Sequence, residues 1–283
     1  MTTQTLQTPV EIPYAPPQAR SVGLLRPALS LCHRELIRFL RQRNRVVSAL
    51  ITPIVFWLFV GLGMGHSFST PGQSGGGGYI EYFFPGTILM IILFTAIFST
   101  ISIIEDRREG FLQSVLVAPV SRMSIVLGKV LGGTTLAFGQ AVIFLLLAPL
   151  IGVHLSLLGL LGALLMIAIL SFLLTALGFC IAWRMTSTQG FHAIMMLFLM
   201  PMWFLSGALF PPGGAAGVVR IVMLINPLTY GLDGLRQAIY WGSSNSAAGP
   251  DFGICLLISG ATSAALFLLA SSIASKRVSA DLA

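Results

Sequence analysis

The residues of this sequence best placed to do chemistry are five consecutive charges, Glu105-Asp106-Arg107-Arg108-Glu109. They stand in a chain of 283 residues of which only 9% are charged, and apolar runs lie on both sides of them. Charges concentrated in this way suit ion pairing with a second surface, because opposite charges give a contact its register and orientation. An ordinary solvated loop is the alternative interpretation.

Other polar side chains form no recognisable site. Cys32, Cys180 and Cys255 are too far apart in sequence for a closely spaced metal motif, which indicates free thiols. The glycine run from Gly75 to Gly78 lacks the lysine and serine or threonine that follow in a phosphate-binding loop. We therefore predict no catalytic residue, no metal site and no cofactor on this chain.

A membrane-embedded enzyme acting on lipid is an alternative from another class. Its polar candidates are Glu81, Asp233 and Arg236, whose spacing matches no acid–base constellation. A channel-like or structural membrane protein is a third alternative, and it leaves the charged cluster unexplained.

The composition places the charged cluster in a membrane protein. Hydrophobic residues make up 55% of the chain and the mean hydropathy is +0.90, whereas about a quarter of a soluble domain is charged. A membrane span needs roughly 20 apolar residues. Six segments qualify, and we predict an all-α integral membrane protein with transmembrane helices at Val46–Gly63, Phe83–Ile104, Met123–Ile151, Ser156–Ala182, Phe191–Phe210 and Phe252–Ala274.

The distribution of basic residues predicts the orientation. Of the 16 lysines and arginines, all but Arg220 and Arg236 fall on one side of the predicted spans, and that side is cytoplasmic by the positive-inside rule. Both termini are then cytoplasmic, with residues 1–25 as a disordered tail. The net charge of +7 is therefore a topology signal rather than a sign of nucleic-acid binding. Lys129, near the start of the third span, is expected to extend to the membrane surface.

Residues 26–45 have the pattern of an amphipathic helix at the membrane surface. At about 100° per residue, one stripe carries basic residues and the opposite stripe carries mainly leucines. The basic stripe is Arg34, Arg38, Arg41 and Arg45, and the other is Leu29, Cys32, Leu36 and Leu40. The helix either anchors the chain or also presents its arginines to a cytoplasmic partner.

The segment between the fifth and sixth spans is too apolar for a plain loop, yet prolines break it into pieces shorter than about 17 residues. We predict two re-entrant helices that enter the outer leaflet without crossing. The segment carries Arg220, Asp233 and Arg236, and the last two, three residues apart, can neutralise each other. That pair is either a packing device or part of an outer gate.

Two stretches resemble a known family. "EDRREGFLQSVLVAPVSRMSIVLGK" at residues 105–129 is similar to the segment after the second span of ABC-2 type permeases, the membrane subunits of ATP-binding-cassette exporters. "FLSGALFPP" at 204–212 and "INPLTYGLDGLRQAIYWG" at 225–242 resemble the end of the fifth span and the loop before the sixth. The likeness is to the daunorubicin-resistance branch and runs over nearly the whole chain, with residues 46–283 as the ABC-2 transmembrane domain.

The resemblance implies a partner for the charged cluster. The helix between the second and third spans would be a coupling helix that sits in a groove of a separate ATPase subunit, which holds ATP and Mg²⁺. The positions that match the motif are Glu105, Arg108, Glu109, Gly110, Leu116, Ala118 and Pro119. Residues 26–45 would be the interface helix beside the same partner.

The resemblance also implies an assembly and a class of cargo. Two permease copies, expected as a homodimer in the cytoplasmic membrane of a prokaryote, would export a hydrophobic or amphipathic molecule, drug-like or lipid-like. Export of a polysaccharide or glycolipid stays open, because a fold does not fix its cargo.

Overall fold

The computed structural model describes residues 23–64, 78–212, 215–242 and 249–276. Most of the predicted tail, the first three glycines of the run from Gly75 and Arg277 lie outside the described residues. Within these ranges the chain is helical and contains no strand. Ten α-helices follow in chain order: α1 Leu25–Arg41, α2 Arg43–Gly63, α3 Tyr79–Arg108, α4 Phe111–Val117, α5 Arg122–Leu145, α6 Leu157–Ala182, α7 Thr188–Trp203, α8 Gly217–Ile225, α9 Pro227–Ile239 and α10 Phe252–Lys276.

Within the described ranges, six segments are long and apolar enough to cross a membrane, which confirms the predicted all-α membrane protein. Four of them are α2, α3, α6 and α10. The third span joins α5 to a short 3-10 turn, Ala148–Ile151, and the fifth joins α7 to a π-helical turn, Phe204–Ala208.

The central element is α3, which packs against α2, α5 and α6. In its most apolar stretch 89% of the residues are buried, against 22% for α2 and 17% for α10, so α2 and α10 lie at the outside. Small residues let the central backbones approach closely. A Cβ at Gly133 of α5 would lie 2.5 Å from Thr175 Cγ2 on α6 and 2.7 Å from Ser99 Oγ on α3.

The bundle has two chemically different ends. At one end, which we call the basic end, α3 and α6 finish and α5 begins. There Arg107 Nη1 and Nη2 donate to the carbonyls of Met185 and Trp183 at 3.0 and 2.7 Å. At the opposite end Tyr79 Oη donates to the Leu209 carbonyl at 3.0 Å and Tyr240 Oη to the Glu81 carbonyl at 2.6 Å.

Two short helices fill the region between the fifth and sixth spans, with α8 and α9 meeting at an angle of 80°. Asn226 forms the joint: its Oδ1 accepts from the Leu228 amide at 3.0 Å, and its Nδ2 donates to the Met202 carbonyl at 2.6 Å. The α9 helix is mostly buried in protein, whereas α8 exposes most of its apolar side chains. The start of α8 follows the π-helical turn, and the end of α9 contacts α3. Both of these helix ends lie at the end of the bundle opposite the basic end. Neither helix is long enough to span alone, and their re-entrant placement in a bilayer stays a prediction.

The predicted interface helix over 26–45 is two helices in the structure. The backbone leaves the helical region at Gln42, with φ −87° and ψ 69°. Arg41 therefore ends α1, and Arg45 belongs to the first turn of the span-forming α2.

Candidate functional site

Eight charged side chains meet at the basic end, and we call this cluster the charged junction. It connects α1, α2, the end of α3 and the start of α5. Four members are cations and four are anions, so their formal charges cancel. They are Arg34, Arg38, Arg45, Lys129, Glu35, Glu105, Asp106 and Glu109.

Two glycines one helical turn apart on α5 allow α1 to reach the junction. A Cβ at Gly128 would lie 2.7 Å from the Ala28 carbonyl oxygen and 2.8 Å from Leu31 Cβ, and one at Gly132 would lie 2.8 Å from Glu35 Cβ. Any larger residue would separate the helices. The α1 face on α5 is thus Ala28, Leu31, Glu35 and Phe39, all buried.

Lys129 follows Gly128 and enters the centre of the junction. Its Nζ lies 2.6 Å from Glu35 Oε1 and also contacts Asp106 Oδ2, and its side chain is only 3% exposed. The expectation that Lys129 extends to the membrane surface is therefore wrong. Buried charges are tolerated where each has partners, and here a lysine between two carboxylates meets that condition.

Asp106 is the most enclosed member of the junction, with no exposed side-chain surface. Arg34 donates to both of its oxygens, at 3.0 and 2.8 Å, and Arg38 donates to Oδ1. The hydrogen bonds from Arg34 raise the pKa of that guanidinium above its ordinary value, so Arg34 stays charged. The two arginines attach α1 to the end of α3.

Glu105 and Glu109 differ sharply in exposure. Both Glu105 oxygens are engaged, one by Arg38 at 3.0 Å and the other by Arg45, and its side chain is 19% exposed. Glu109 accepts only from Arg38, at 3.1 Å, and is 59% exposed. Of the two glutamates in the predicted coupling motif, only Glu109 presents its carboxylate outward.

The α4 helix leaves the junction as a short projection. Gly110 reverses the chain with φ 77°, a conformation that favours glycine. Ala118 is extended before Pro119, as expected for a residue that precedes proline. Arg34 lies over the Phe111 ring at 3.6 Å and so links α4 to α1.

The other residues of the predicted coupling motif lie around α4. Arg108 Nε donates to the Thr186 carbonyl at 2.9 Å in the loop between α6 and α7. Leu116 and Ala118 are half-buried and Pro119 is exposed. Together with Val117, which is 85% exposed, they form the outward surface of this projection.

The predicted arginine stripe does not act as one surface. Arg34, Arg38 and Arg45 turn toward the carboxylates of the junction, whereas Arg41 is exposed. The leucine stripe also differs from expectation. Leu29 and Leu40 are about 60% exposed, and the residues that pack on α5 lie between the two predicted stripes.

Sequence reasoning did not connect three members of the junction. Glu35 was not singled out, Asp106 was noted only as part of the charged cluster, and Lys129 was expected at the membrane surface. A signal was available for Lys129, because an ionisable residue inside an apolar span usually has a partner within the protein. Nothing in the sequence, however, connects it to Glu35, which lies 94 positions away.

A small cavity of about 10 Å³ lies beside the junction, with room for about one water molecule. Its lining is mixed, because Phe39, Phe98 and Leu136 lie beside the polar residues. The lining includes Glu35, Arg38, Gln42, Arg45, Ser99 and Ser102.

The predicted pair at the opposite end is buried and loosely joined. Arg236 Nη1 lies 3.6 Å from Asp233 Oδ1, and the two side chains are 6% and 9% exposed. Arg236 also donates to the Gly207 carbonyl at 3.1 Å and lies over the Tyr82 ring at 4.5 Å. Tyr82 Oη donates to the same carbonyl at 2.8 Å. Arg236 therefore fixes the π-helical turn after α7 as much as it pairs with Asp233.

Arg220, the third residue predicted for this region, is exposed on α8 rather than buried with that pair. Over the described ranges, no group of three or more His, Cys, Asp or Glu side chains is placed to hold a metal ion.

Comparison with known proteins covers most of the chain. The family described as ABC-2 type transporter matches residues 28–240. The protein named "Putative transport permease ycf38" of Cyanophora paradoxa is 25% identical over 209 residues, which make up 73% of this chain and 71% of the relative.

Proposed function

The chain belongs to the ABC-2 type transporter family, and from that premise we propose that it is the membrane subunit of an ATP-driven exporter. Family membership makes it a multi-pass transport permease rather than an enzyme. ATP and Mg²⁺ would bind a separate ATP-binding-cassette subunit. The basic end would face the cytoplasm of a prokaryotic cell, as the positive-inside rule favours.

The observation that carries this proposal is the connection of α4 to the charged junction. The α4 helix follows a left-handed glycine. Glu109, with its exposed carboxylate, lies just before the helix, and the exposed Val117 and Pro119 lie at its end. An apolar centre flanked by charge suits a specific protein contact. A push on α4 would reach α1 through Arg34, and α3 and α5 through Asp106 and Lys129.

Within the predicted coupling motif we propose two different roles. Glu109, Leu116, Ala118 and Pro119 would contact the ATPase subunit. Glu105, Arg108 and Gly110 would position α4, because Glu105 is held by α1 and α2, Arg108 by a neighbouring loop, and Gly110 by its backbone conformation.

We propose that two copies of the chain enclose the transport pathway as a homodimer. The described surface of α2 and α7 is strongly apolar, with Phe59 77%, Leu197 78% and Phe198 51% exposed. Such a surface suits contact with lipid, with a second copy, or with hydrophobic or amphipathic cargo of the drug-like or lipid-like class. Export of a polysaccharide or glycolipid is the alternative within the same family.

The test is ATPase stimulation in the reconstituted complex. The permease and an ATP-binding-cassette ATPase encoded beside it would be placed together in vesicles and exposed to hydrophobic drugs, lipids and glycans. We expect an amphipathic compound to raise the hydrolysis rate and to accumulate on the side opposite the ATPase. Stimulation only by glycans would favour the alternative cargo, and absence of any complex with the ATPase would contradict the exporter proposal.

A further inference from the structure

The described carboxylates at the basic end are all engaged within the charged junction. They are Glu35, Glu105, Asp106 and Glu109, and each forms an ion pair with Arg34, Arg38, Arg45 or Lys129. Exposed arginines outside the junction are therefore available to water or to an external anion.

Three exposed arginines lie near the two ends of α1. Arg41 and Arg43 flank Gln42, the elbow between α1 and α2, and Arg26 lies at the start of α1, 15 residues before Arg41. Arg26, Arg41 and Arg43 are exposed, and none of them forms an ion pair with a described carboxylate. They are thus distinct from Arg34, Arg38 and Arg45, which turn toward the junction.

The same part of the chain exposes large apolar side chains. Leu25, Leu29 and Leu40 are 65%, 60% and 61% exposed on α1. Leu29 and Leu40 lie 11 residues apart, which is close to three full helical turns, so they share one stripe. Arg26 is three residues before Leu29 and Arg41 directly follows Leu40. Exposed leucines flanked by exposed arginines are typical of a helix at a membrane interface.

The position of these exposed residues along the bundle also favours a membrane interface. The first candidate span begins at Arg43, so the elbow lies at the boundary of the hydrocarbon region, at the depth of lipid phosphates. A protein partner could also cover leucines flanked by arginines, but this surface continues directly into the span that begins at Arg43, where a bilayer is already present. A bilayer accommodates both groups, with arginines at the headgroups and leucines among the acyl chains.

We propose that Arg26, Arg41 and Arg43 bind the phosphates of anionic phospholipids in the leaflet at the basic end, with Leu25, Leu29 and Leu40 inserted beside them. The site requires only a bilayer around the spans, so it is independent of the ATPase partner and of the cargo. It divides the basic residues near α1 by role: one set holds the helix to the bundle and the other recognises lipid charge.

The experiment measures lipid preference directly. The purified full chain in detergent is mixed with equal amounts of phosphatidylglycerol and phosphatidylcholine, and the retained lipids are counted by native mass spectrometry. We expect retained phosphatidylglycerol to exceed phosphatidylcholine by about a hundred-fold, since each of the three basic residues near an anionic surface contributes about five-fold. The triple variant Arg26→Gln/Arg41→Gln/Arg43→Gln should lose most of that preference.

Matched variants separate lipid recognition from a general loss of positive charge. Arg220→Gln removes an exposed arginine at the opposite end of the bundle and should change the preference by less than about two-fold. The conservative triple variant with lysine at the three positions should retain it, because lysine also carries the charge that attracts anionic lipid. Unfolding temperature and gel-filtration profile should be unchanged, since the three side chains are exposed.

The proposal is overturned if the glutamine triple variant keeps the phosphatidylglycerol preference, or if the Arg220 variant loses it equally. Unchanged lipid preference together with loss of a bound protein partner would assign the surface to that partner instead. If the triple variant does not fold, Arg41→Gln alone, at an exposed helix end, carries the same test with an expected loss of about five-fold.

Discussion

Lys129 Nζ on α5 lies 2.6 Å from Glu35 Oε1 on α1, and both side chains are almost completely buried. This contact joins a span-forming helix to a helix that by its sequence belongs at the membrane surface. Asp106, the second partner of Lys129, brings α3 into the same cluster. The three helices are thus connected through one ammonium group, and the first prediction addresses its removal.

Replacing Lys129 with methionine should destabilise the protein strongly. Methionine fills a similar volume, but Glu35 loses its closest cation and Asp106 loses one of three. Breaking a buried ion pair from one side costs about 3–5 kcal/mol. The measurement is the unfolding midpoint of purified protein in detergent, with Arg184→Met as a control at an exposed position of the same end. A Lys129→Met protein as stable as the control would contradict the role given to this contact.

The double variant Lys129→Met/Glu35→Gln tests whether the two residues act as a pair. It should be less destabilised than the sum of the single variants, because the second change removes the carboxylate that the first leaves unpaired. Additive losses would instead indicate that Asp106 and the arginines, rather than Glu35, carry the stabilisation.

Charge reversal at Glu109 should impair the partner contact without unfolding the permease. Glu109→Arg places a positive charge where an exposed carboxylate stood, and exposed substitutions usually change stability by less than about 0.5 kcal/mol. We expect weaker co-purification with the ATPase subunit, or ATP hydrolysis no longer linked to export. The unfolding midpoint should fall only slightly, because the change removes one exposed ion pair, with Arg38. Ser275→Arg, which adds a positive charge at the exposed end of α10, is the matched control. Normal binding and export in Glu109→Arg would favour the alternative interpretation, in which the α4 region is an ordinary solvated segment.

Labelling from the two sides of the membrane tests the orientation. In a background without the native cysteines, His154→Cys places a thiol in the exposed loop between the third and fourth spans, and Ser114→Cys places one on exposed α4. We expect an impermeant maleimide to label position 154 in intact cells and position 114 only after permeabilisation. Labelling of position 114 from outside would invert the topology and remove α4 from the reach of a cytoplasmic ATPase.

Alanine substitutions at Asp233 and Arg236 separate packing from gating at the opposite end. Arg236→Ala should reduce membrane abundance more than Asp233→Ala, because it also loses the bond to the Gly207 carbonyl and the contact with the Tyr82 ring. The double variant should be no less abundant than Arg236→Ala alone, since the carboxylate then has no lost partner. Abundance is measured by quantitative blotting and export by transport assay. Normal abundance with impaired export in all three variants would instead place the pair in a gate.

The spans were predictable from sequence because each depends on a local property. An apolar run of about 20 residues forms a helix in a bilayer whatever its neighbours are, and the fourth span, predicted at Ser156–Ala182, is Leu157–Ala182 in the structure. The end of α4 before Pro119 was predictable for the same reason, since proline acts on the residue directly before it.

The charged junction was not predictable because its contacts connect distant residues. Helical periodicity states which residues share a side of α1 but not what that side meets. The helix has three surroundings: α5 on one side, the carboxylates of α3 on a second, and an exposed apolar surface on a third. Dividing α1 into a polar and an apolar half therefore predicted correctly that Leu29 and Leu40 lie opposite the arginines. It did not predict that Glu35 is buried between the two stripes.

The enclosure of Asp106 has a consequence for the effect of dissolved ions. Mobile ions screen exposed charges over a distance of about 10 Å at 0.1 M ionic strength, whereas they screen buried pairs much less. Since Asp106 has no exposed side-chain surface, its pairs with Arg34 and Lys129 are shielded from added electrolyte. The attachment of α1 to the bundle should therefore persist in concentrated salt solutions. Salt should instead weaken the attraction of the exposed arginines at the elbow for external anions. The same helix thus combines an electrolyte-resistant attachment with an electrolyte-sensitive outer surface.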